Sequence, residues 1–252
     1  MAGRHETGPL SPGIRAVILA GGAGTRLRCV WPGLPKPMAP VAGRPFIDFV
    51  LEYLARQGVD DFVISTGYLG DRIESHFAAA RPGARVRCVR EPGPMGTGGA
   101  LAFVLSTVEQ DGYFLAVNGD SIAAFRVGDL LAAVRNGADA AMVALQVTDT
   151  GRFGSLRVGD AGLLAGFHEK SAAGSPGLIN AGIYLFQPYL FPAGKDLRPA
   201  PIETDYFPRW LAEGRRIVVV PSAGPFIDIG TPESLAEAES FVRACGLFPG
   251  LQ

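Results

Sequence analysis

The sequence predicts an α/β domain built on a mixed sheet, and three observations predict it. From residue 15 short apolar runs of β type alternate with stretches of helical periodicity, the signature of strands joined by crossover helices. A glycine-rich loop follows directly on the first of those runs, where open α/β sheets place their ligands. After Thr148 the rhythm changes to short segments separated by turn residues, which reads as an antiparallel region.

The first strand is Arg15 to Ala20. Phe46, Val50, Leu51 and Leu54 then recur at helical spacing, and Gly58 ends that helix before a second strand, Asp61 to Thr66. The unit repeats: a helix around Asp71 to Ala80 leads to a strand around Arg85 to Arg90, and a helix from Gly98 to Val108 leads to a buried strand, Tyr113 to Val117. A helix around Val127 to Asn136 and a strand Ala140 to Gln146 continue the series. The second region holds Gly154 to Val158, Gly162 to His168 and Ile179 to Phe186. A helix near Glu203 to Glu213, strands Arg216 to Val220 and Phe226 to Ile229, and a helix Pro232 to Ala244 complete the series. No linker-like composition divides the chain and no repeat recurs at a fixed period, so residues 14–252 are expected to form a single domain. Residues 1–13 are polar and rich in Gly and Pro and read as a loose extension.

At 252 residues, 48% apolar and 19% charged, the chain can bury a large core. Its 23 basic and 24 acidic residues leave a net charge of −1, which offers no basic field for nucleic acid or an anionic membrane, so a bound anion must be held locally. Neither is expected as a partner. Cys29, Cys88 and Cys245 form no CxxC pair and have no His-rich neighbour, which argues against a disulfide framework and a zinc site and for a reducing, cytoplasmic setting. No apolar run approaches the ~18 residues of a membrane span.

The loop after the first strand reads LAGGAGTRL over Leu19 to Leu27. Gly21, Gly22 and Gly24 let the backbone come close to a ligand and turn N–H groups toward phosphate oxygens, and Arg26 adds a cationic fork. It is not a Walker loop, and Leu27 stands where a dinucleotide fingerprint needs its third glycine, which counts against an oxidoreductase. On its own the loop also suits a generic glycine-rich turn. Downstream, Pro35-Lys36-Pro37 places a lysine between two rings that fix the backbone, which predicts a pre-ordered ammonium on a stiff extended segment. Alone, it also suits a solvated loop lysine.

Glu91 to Ala100 reads EPGPMGTGGA and opens a helix, with backbone donors expected to be free at Gly98 and Gly99 for an electron-rich ligand edge. Asn118-Gly119-Asp120 ends a buried strand and puts a carboxylate at the sheet edge beside the first loop. Asp228 stands at another apolar strand end, where a turn or cap aspartate is the equal alternative. Hard Mg²⁺ is usually held by one or two such carboxylates plus substrate phosphates and water. Glu169-Lys170 by itself reads as an exposed charge pair worth under ~1 kcal/mol.

The pair Leu-Ala-Gly-Gly-x-Gly-Thr-Arg-Leu and Pro-Lys-Pro resembles the signature of the sugar-1-phosphate nucleotidyltransferases, also called nucleoside-diphosphate-sugar pyrophosphorylases, and the likeness runs from Ala16 to about Ala244. The resemblance implies a Rossmann-like three-layer α/β/α domain of GT-A type with a small antiparallel sugar-binding region. It implies nucleotide contacts from Leu19, Ala20, Gly21, Gly22, Gly24, Thr25, Glu91, Gly96, Thr97 and Gly98, and catalytic roles for Arg26, Lys36 and Asp120. Asp120 and Asp228 become the Mg²⁺ ligands, and Gly154, Glu169, Lys170 and Asn180 the sugar-phosphate contacts. Within the family the chain most resembles members that use GTP and D-glycero-D-manno-heptose 1-phosphate, so the resemblance implies those substrates. Mannose 1-phosphate, or UTP, CTP, dTTP or ATP, are the alternatives. A regulatory subunit without activity would be expected to lose Arg26, Lys36 or an aspartate, and all are present. Self-association stays open.

A phosphate monoester has a second pKa near ~6, so the acceptor is already ionised at neutral pH and His168 is not needed as a base. The reaction needs alignment and charge neutralisation.

Overall fold

The computed structural model describes residues 13–24, 33–79, 83–109, 111–151, 155–168, 175–191 and 197–247. In chain order these form β1 (Arg15–Ala20), a hairpin of β2 (Pro40–Val41) and β3 (Arg44–Pro45), α1 (Phe46–Ala55), β4 (Asp61–Thr66), α2 (Gly70–Phe77) and β5 (Arg85–Arg90). Then come α3 (Gly96–Thr107), β6 (Phe114–Asn118), β7 (Ser121–Ala123), α4 (Val127–Arg135), β8 (Ala140–Val147), β9 (Ser155–Val158), β10 (Leu164–His168) and β11 (Gly177–Phe186). A π-helical turn (Ile202–Tyr206) runs into α5 (Phe207–Ala212), and β12 (Ile217–Ser222), β13 (Phe226–Asp228) and α6 (Pro232–Ala244) complete the order.

The main sheet has seven strands in the order β12-β8-β11-β6-β1-β4-β5. β1 pairs in parallel with β4 and β6, β4 with β5, and β8 with β12, while β11 runs antiparallel to both β6 and β8. The sheet is therefore mixed through one reversed strand. The second region is less antiparallel than its turn-rich sequence predicts: β9 and β10 form an antiparallel hairpin, but the crossover through α5 returns the chain to the same edge, so β12 enters parallel to β8.

Strand alternation divides the core between two layers. Ala16, Ile18, Leu115 and Val117 face α1, α2, α4 and α6, where Phe46, Phe49, Ile73, Leu130 and Val242 are buried. Val17, Val63, Phe114 and Ala116 face α3 and α5, against Leu101, Tyr206, Phe207 and Trp210. This is the expected three-layer α/β/α arrangement. The chain visits β4 and β5 on one side of β1 and then returns to β6 on the other, so the topology switches direction at the carboxyl ends of β1 and β6, where a crevice opens. Among the described residues no helix is long and apolar enough to cross a membrane.

Candidate active site

A cavity of about 750 Å³ lies at that switch point, a size suited to a nucleotide-scale ligand. Its floor is the loop after β1. The Gly21 carbonyl accepts from the Tyr68 N–H at 3.1 Å, and a Cβ on Gly21 would lie 2.1 Å from Glu91 Oε1. A side chain at position 21 would collide with Glu91. A backbone hydrogen bond from the Gly119 N–H to the Leu19 carbonyl, 2.9 Å, ties the turn after β6 to the same loop. The strand ends are thus locked edge to edge, and Asn118 and Asp120 line the cavity with Leu19, Ala20, Gly21, Gly22 and Gly24.

Glu91 forms the inner wall. Its Oε1 accepts from the Ser65 hydroxyl at 2.8 Å and its Oε2 from the Met95 N–H at 3.4 Å. Burial pushes its carboxyl above the ordinary glutamate range, and these two donors pull it part of the way back. A carboxyl raised in the fold destabilises the folded state once it must ionise, so the penalty is absent at low pH and grows as pH rises through the usual carboxylate range, near ~4.3. Glu91→Gln is expected to raise Tm at pH 7 and to leave it unchanged at pH 4, as read by calorimetry at both values.

On the opposite wall Lys36 Nζ sits 2.7 Å from Asp120 Oδ2 and 3.2 Å from Asp228 Oδ1. Two features bring residues so far apart in sequence together. β13 pairs antiparallel with β7, placing Asp228 opposite Ser121, and the Ile229 N–H donates to the Asp120 carbonyl at 3.1 Å. Just beyond, Thr231 caps α6 reciprocally with Ser234 and Pro232 occupies the first turn, which fixes the Asp228–Gly230 corner. Lys36 itself opens a short 3₁₀ turn, Lys36–Met38, after an extended Pro35. The stiffness expected of Pro-Lys-Pro is there, but as a turn, because Met38 and Ala39 donate back to Pro35 and Lys36.

The profile of the nucleotidyl transferase family matches residues 15–244. The chain belongs to that family. It is 34% identical over 223 residues to D-glycero-alpha-D-manno-heptose 1-phosphate guanylyltransferase of Campylobacter jejuni, covering 87% of this chain and 96% of the relative. It is 32% identical over 243 residues to mannose-1-phosphate guanylyltransferase of Mycobacterium tuberculosis, covering 95% of this chain and 67% of the relative. Its fold matches the crystal structure of HddC from Yersinia pseudotuberculosis complexed with GMP-PN at a TM-score of 0.79 and 30% identity, over 91% of this chain and 99% of that one.

In this nucleotidyl transferase the structure brings Leu19, Ala20, Gly21, Gly22, Gly24, Lys36, Glu91, Gly96, Thr97 and Asp120 to one cavity. Asp228 joins them through Lys36. Thr25, Arg26, Gly154, Glu169 and Lys170, with Cys29, lie outside the described residues, as do residues 1–12 of the expected extension. Gly98 and Gly99 depart from expectation. α3 begins two residues earlier than its sequence suggests, at Gly96, and the Gly98 and Gly99 N–H groups both donate to the Ala200 carbonyl, at 2.9 and 3.0 Å, so neither is free for a ligand. Gly98 does not line the cavity: a Cβ there would lie 2.4 Å from the buried Tyr206 ring. Gly98→Ala should therefore cost about 1–3 kcal/mol of stability by overpacking, measurable by denaturant unfolding. Thr97 is also committed, its Oγ1 accepting from the Ile202 N–H at 2.9 Å.

Asn180 lies outside the cavity wall, at the bulged start of β11. Its amide donates to Tyr184 Oη and Glu203 Oε1, each at 2.6 Å, and its Oδ1 accepts from the Gly182 N–H at 3.0 Å. Gly182 in turn packs on Asn118, whose Nδ2 a Cβ would meet at 2.1 Å. Asn118, Tyr68, Arg90, Met95 and Gly230 are wall residues that sequence reasoning passes over. Of these Asn118 and Met95 carry a signal, the first two residues before Asp120 at a strand end and the second inside the EPGPMGTGGA run. His168 is exposed at the end of β10 and is not part of the wall.

Proposed function

We propose that this nucleotidyl transferase moves GMP from GTP onto D-glycero-α-D-manno-heptose 1-phosphate and releases pyrophosphate. The observation that carries the substrate pair is the match to a heptose 1-phosphate guanylyltransferase across 96% of that enzyme's length. The HddC complex with GMP-PN supports a guanine nucleotide in the cavity. Residues 14–252 act as one catalytic domain in this reading. The free thiols of Cys88 and Cys245 support a reducing, cytoplasmic setting.

The sugar phosphate oxygen attacks the α-phosphorus in line, and the anomeric C–O bond stays intact. Gly21, Gly22 and Gly24 hold the triphosphate with backbone N–H groups, and Arg26 and Lys36 meet charge on the departing pyrophosphate. Glu169, Lys170, Asn180 and Gly154 hold the acceptor. Mg²⁺ fits the donor set, because two hard carboxylates, Asp120 and Asp228, converge on one point beside the phosphate loop. Among the described residues no three His, Cys, Asp or Glu side chains form a cage, which suits an ion that completes its shell with phosphate and water. When bound, the ion shields triphosphate charge.

A pyrophosphate-release assay over five NTPs and several sugar 1-phosphates tests the reading. A pocket that hydrogen-bonds the purine edge leaves buried groups unpaired with a wrong base, so GTP should lead in kcat/KM by ~10² to 10⁴-fold. Mannose 1-phosphate is the second reading, favoured by 32% identity across 95% of the chain, and is expected to react ~10 to 100-fold more slowly than the heptose ester. Higher kcat/KM with another NTP would overturn the guanine assignment and leave nucleotidyl transfer standing.

A further inference from the structure

The ammonium of Lys36 occupies the point on which both aspartates converge, 2.7 Å from Asp120 Oδ2 and 3.2 Å from Asp228 Oδ1. Its side chain is only 11% exposed, so these ion pairs are poorly screened by solvent. The backbone is built around this placement. A Cβ on Gly24, whose φ is +55°, would lie 2.9 Å from Lys36 Cβ, and one on Gly230 would lie 3.2 Å from Nζ and 2.4 Å from Asp228 Oδ1. Asp228 Oδ1 also accepts from the Gly230 N–H at 2.5 Å, which adds a second positive pole to the cluster.

With Lys36 in place the trio carries a net charge of −1, and a divalent cation held by both carboxylates would have to share the position of the ammonium. Cation–cation repulsion at such separations opposes it strongly. Lys36 also lines the cavity beside the phosphate loop, so a triphosphate presents it with a stronger counter-charge on the other side. We propose that Lys36 is an internal counter-ion that bars the two aspartates from binding a divalent cation until a nucleotide's phosphates draw its ammonium away. Metal and nucleotide then bind in an obligatorily coupled manner, and by linkage the metal raises nucleotide affinity by the same factor. The inference rests on the assignment of Asp120 and Asp228 as metal ligands.

The test is Mn²⁺ binding to nucleotide-free protein, monitored by the loss of the free-ion electron paramagnetic resonance signal. Lys36→Met and Lys36→Gln should each bind one Mn²⁺ at least ~10-fold more tightly than wild type, because a unit positive charge has left the site. Adding Asp228→Asn to Lys36→Met should abolish that gain. Folded Lys36 variants with Mn²⁺ affinity within threefold of wild type would overturn the proposal. Wild type gives a check that needs no variant: binding weaker than ~1 mM supports the barrier, and one site tighter than ~10 µM overturns it. Turnover of Asp120→Asn and Asp228→Asn separates the two failures. If those variants lose activity while Lys36→Met binds Mn²⁺ as wild type does, the metal assignment stands and only the barrier falls.

Discussion

Asp120→Asn and Asp228→Asn each lower kcat by at least ~10²-fold while the fold is kept, because each removes a full negative charge from a site whose work is electrostatic. Asparagine preserves size and can still accept from the Lys36 ammonium, so the substitution changes charge more than packing. Asp228 also accepts from the Gly230 N–H, and an asparagine carbonyl oxygen can do the same, which keeps the corner before α6. Steady-state kinetics at saturating Mg²⁺ and far-UV circular dichroism decide the matter together. Retention of more than half of the wild-type kcat by a folded variant would make that aspartate a turn residue and remove it from the metal site.

The reach of sequence reasoning depends on where the determining contacts lie. β1, β6 and β8 are legible because a strand covered on both faces reads as a continuous apolar run, and short runs alternating with helical periodicity leave little choice of architecture. Asp120 is legible because a carboxylate closing such a run stands at the sheet's ligand edge. Its approach to Asp228 is not: the strand Phe226 to Ile229 is marked by its apolar residues, but its partner β7 is three residues long, too short for any periodicity to register, and nothing local says that the two pair. Gly98 and Gly99 show the opposite error. Glycines at a helix start suit a ligand and a close neighbour equally well, and the neighbour here is the 198–200 backbone, about a hundred residues on. The π-turn before α5 reads as plain helix from Glu203, since nothing in its residue types marks the wider winding. The two halves of the site thus differ in kind. The glycine-rich loop after β1 is local in sequence, whereas the Lys36–Asp120–Asp228 cluster exists only once the sheet and the small β7–β13 ladder have formed.

Lys36→Ala lowers kcat by ~10² to 10³-fold and changes KM for GTP by less than ~10-fold, since negative charge on the departing pyrophosphate is larger in the transition state than in bound GTP. The mostly covered position of the side chain strengthens the effect, because an ammonium with little water around it acts on phosphate charge through a weaker dielectric. Removing it also leaves Asp120 and Asp228 facing each other without a cation between them. The freed carboxylates take the ion more tightly, so the variant should reach its own maximal kcat at lower Mg²⁺ than wild type, and any part of the loss that reflects carboxylate repulsion should disappear once the ion is bound. Titrating kcat against Mg²⁺ for wild type and variant separates the terms. A deficit that vanishes at saturating Mg²⁺ would limit Lys36 to balancing the aspartates, whereas a deficit of ~10²-fold that persists places its charge on the leaving group.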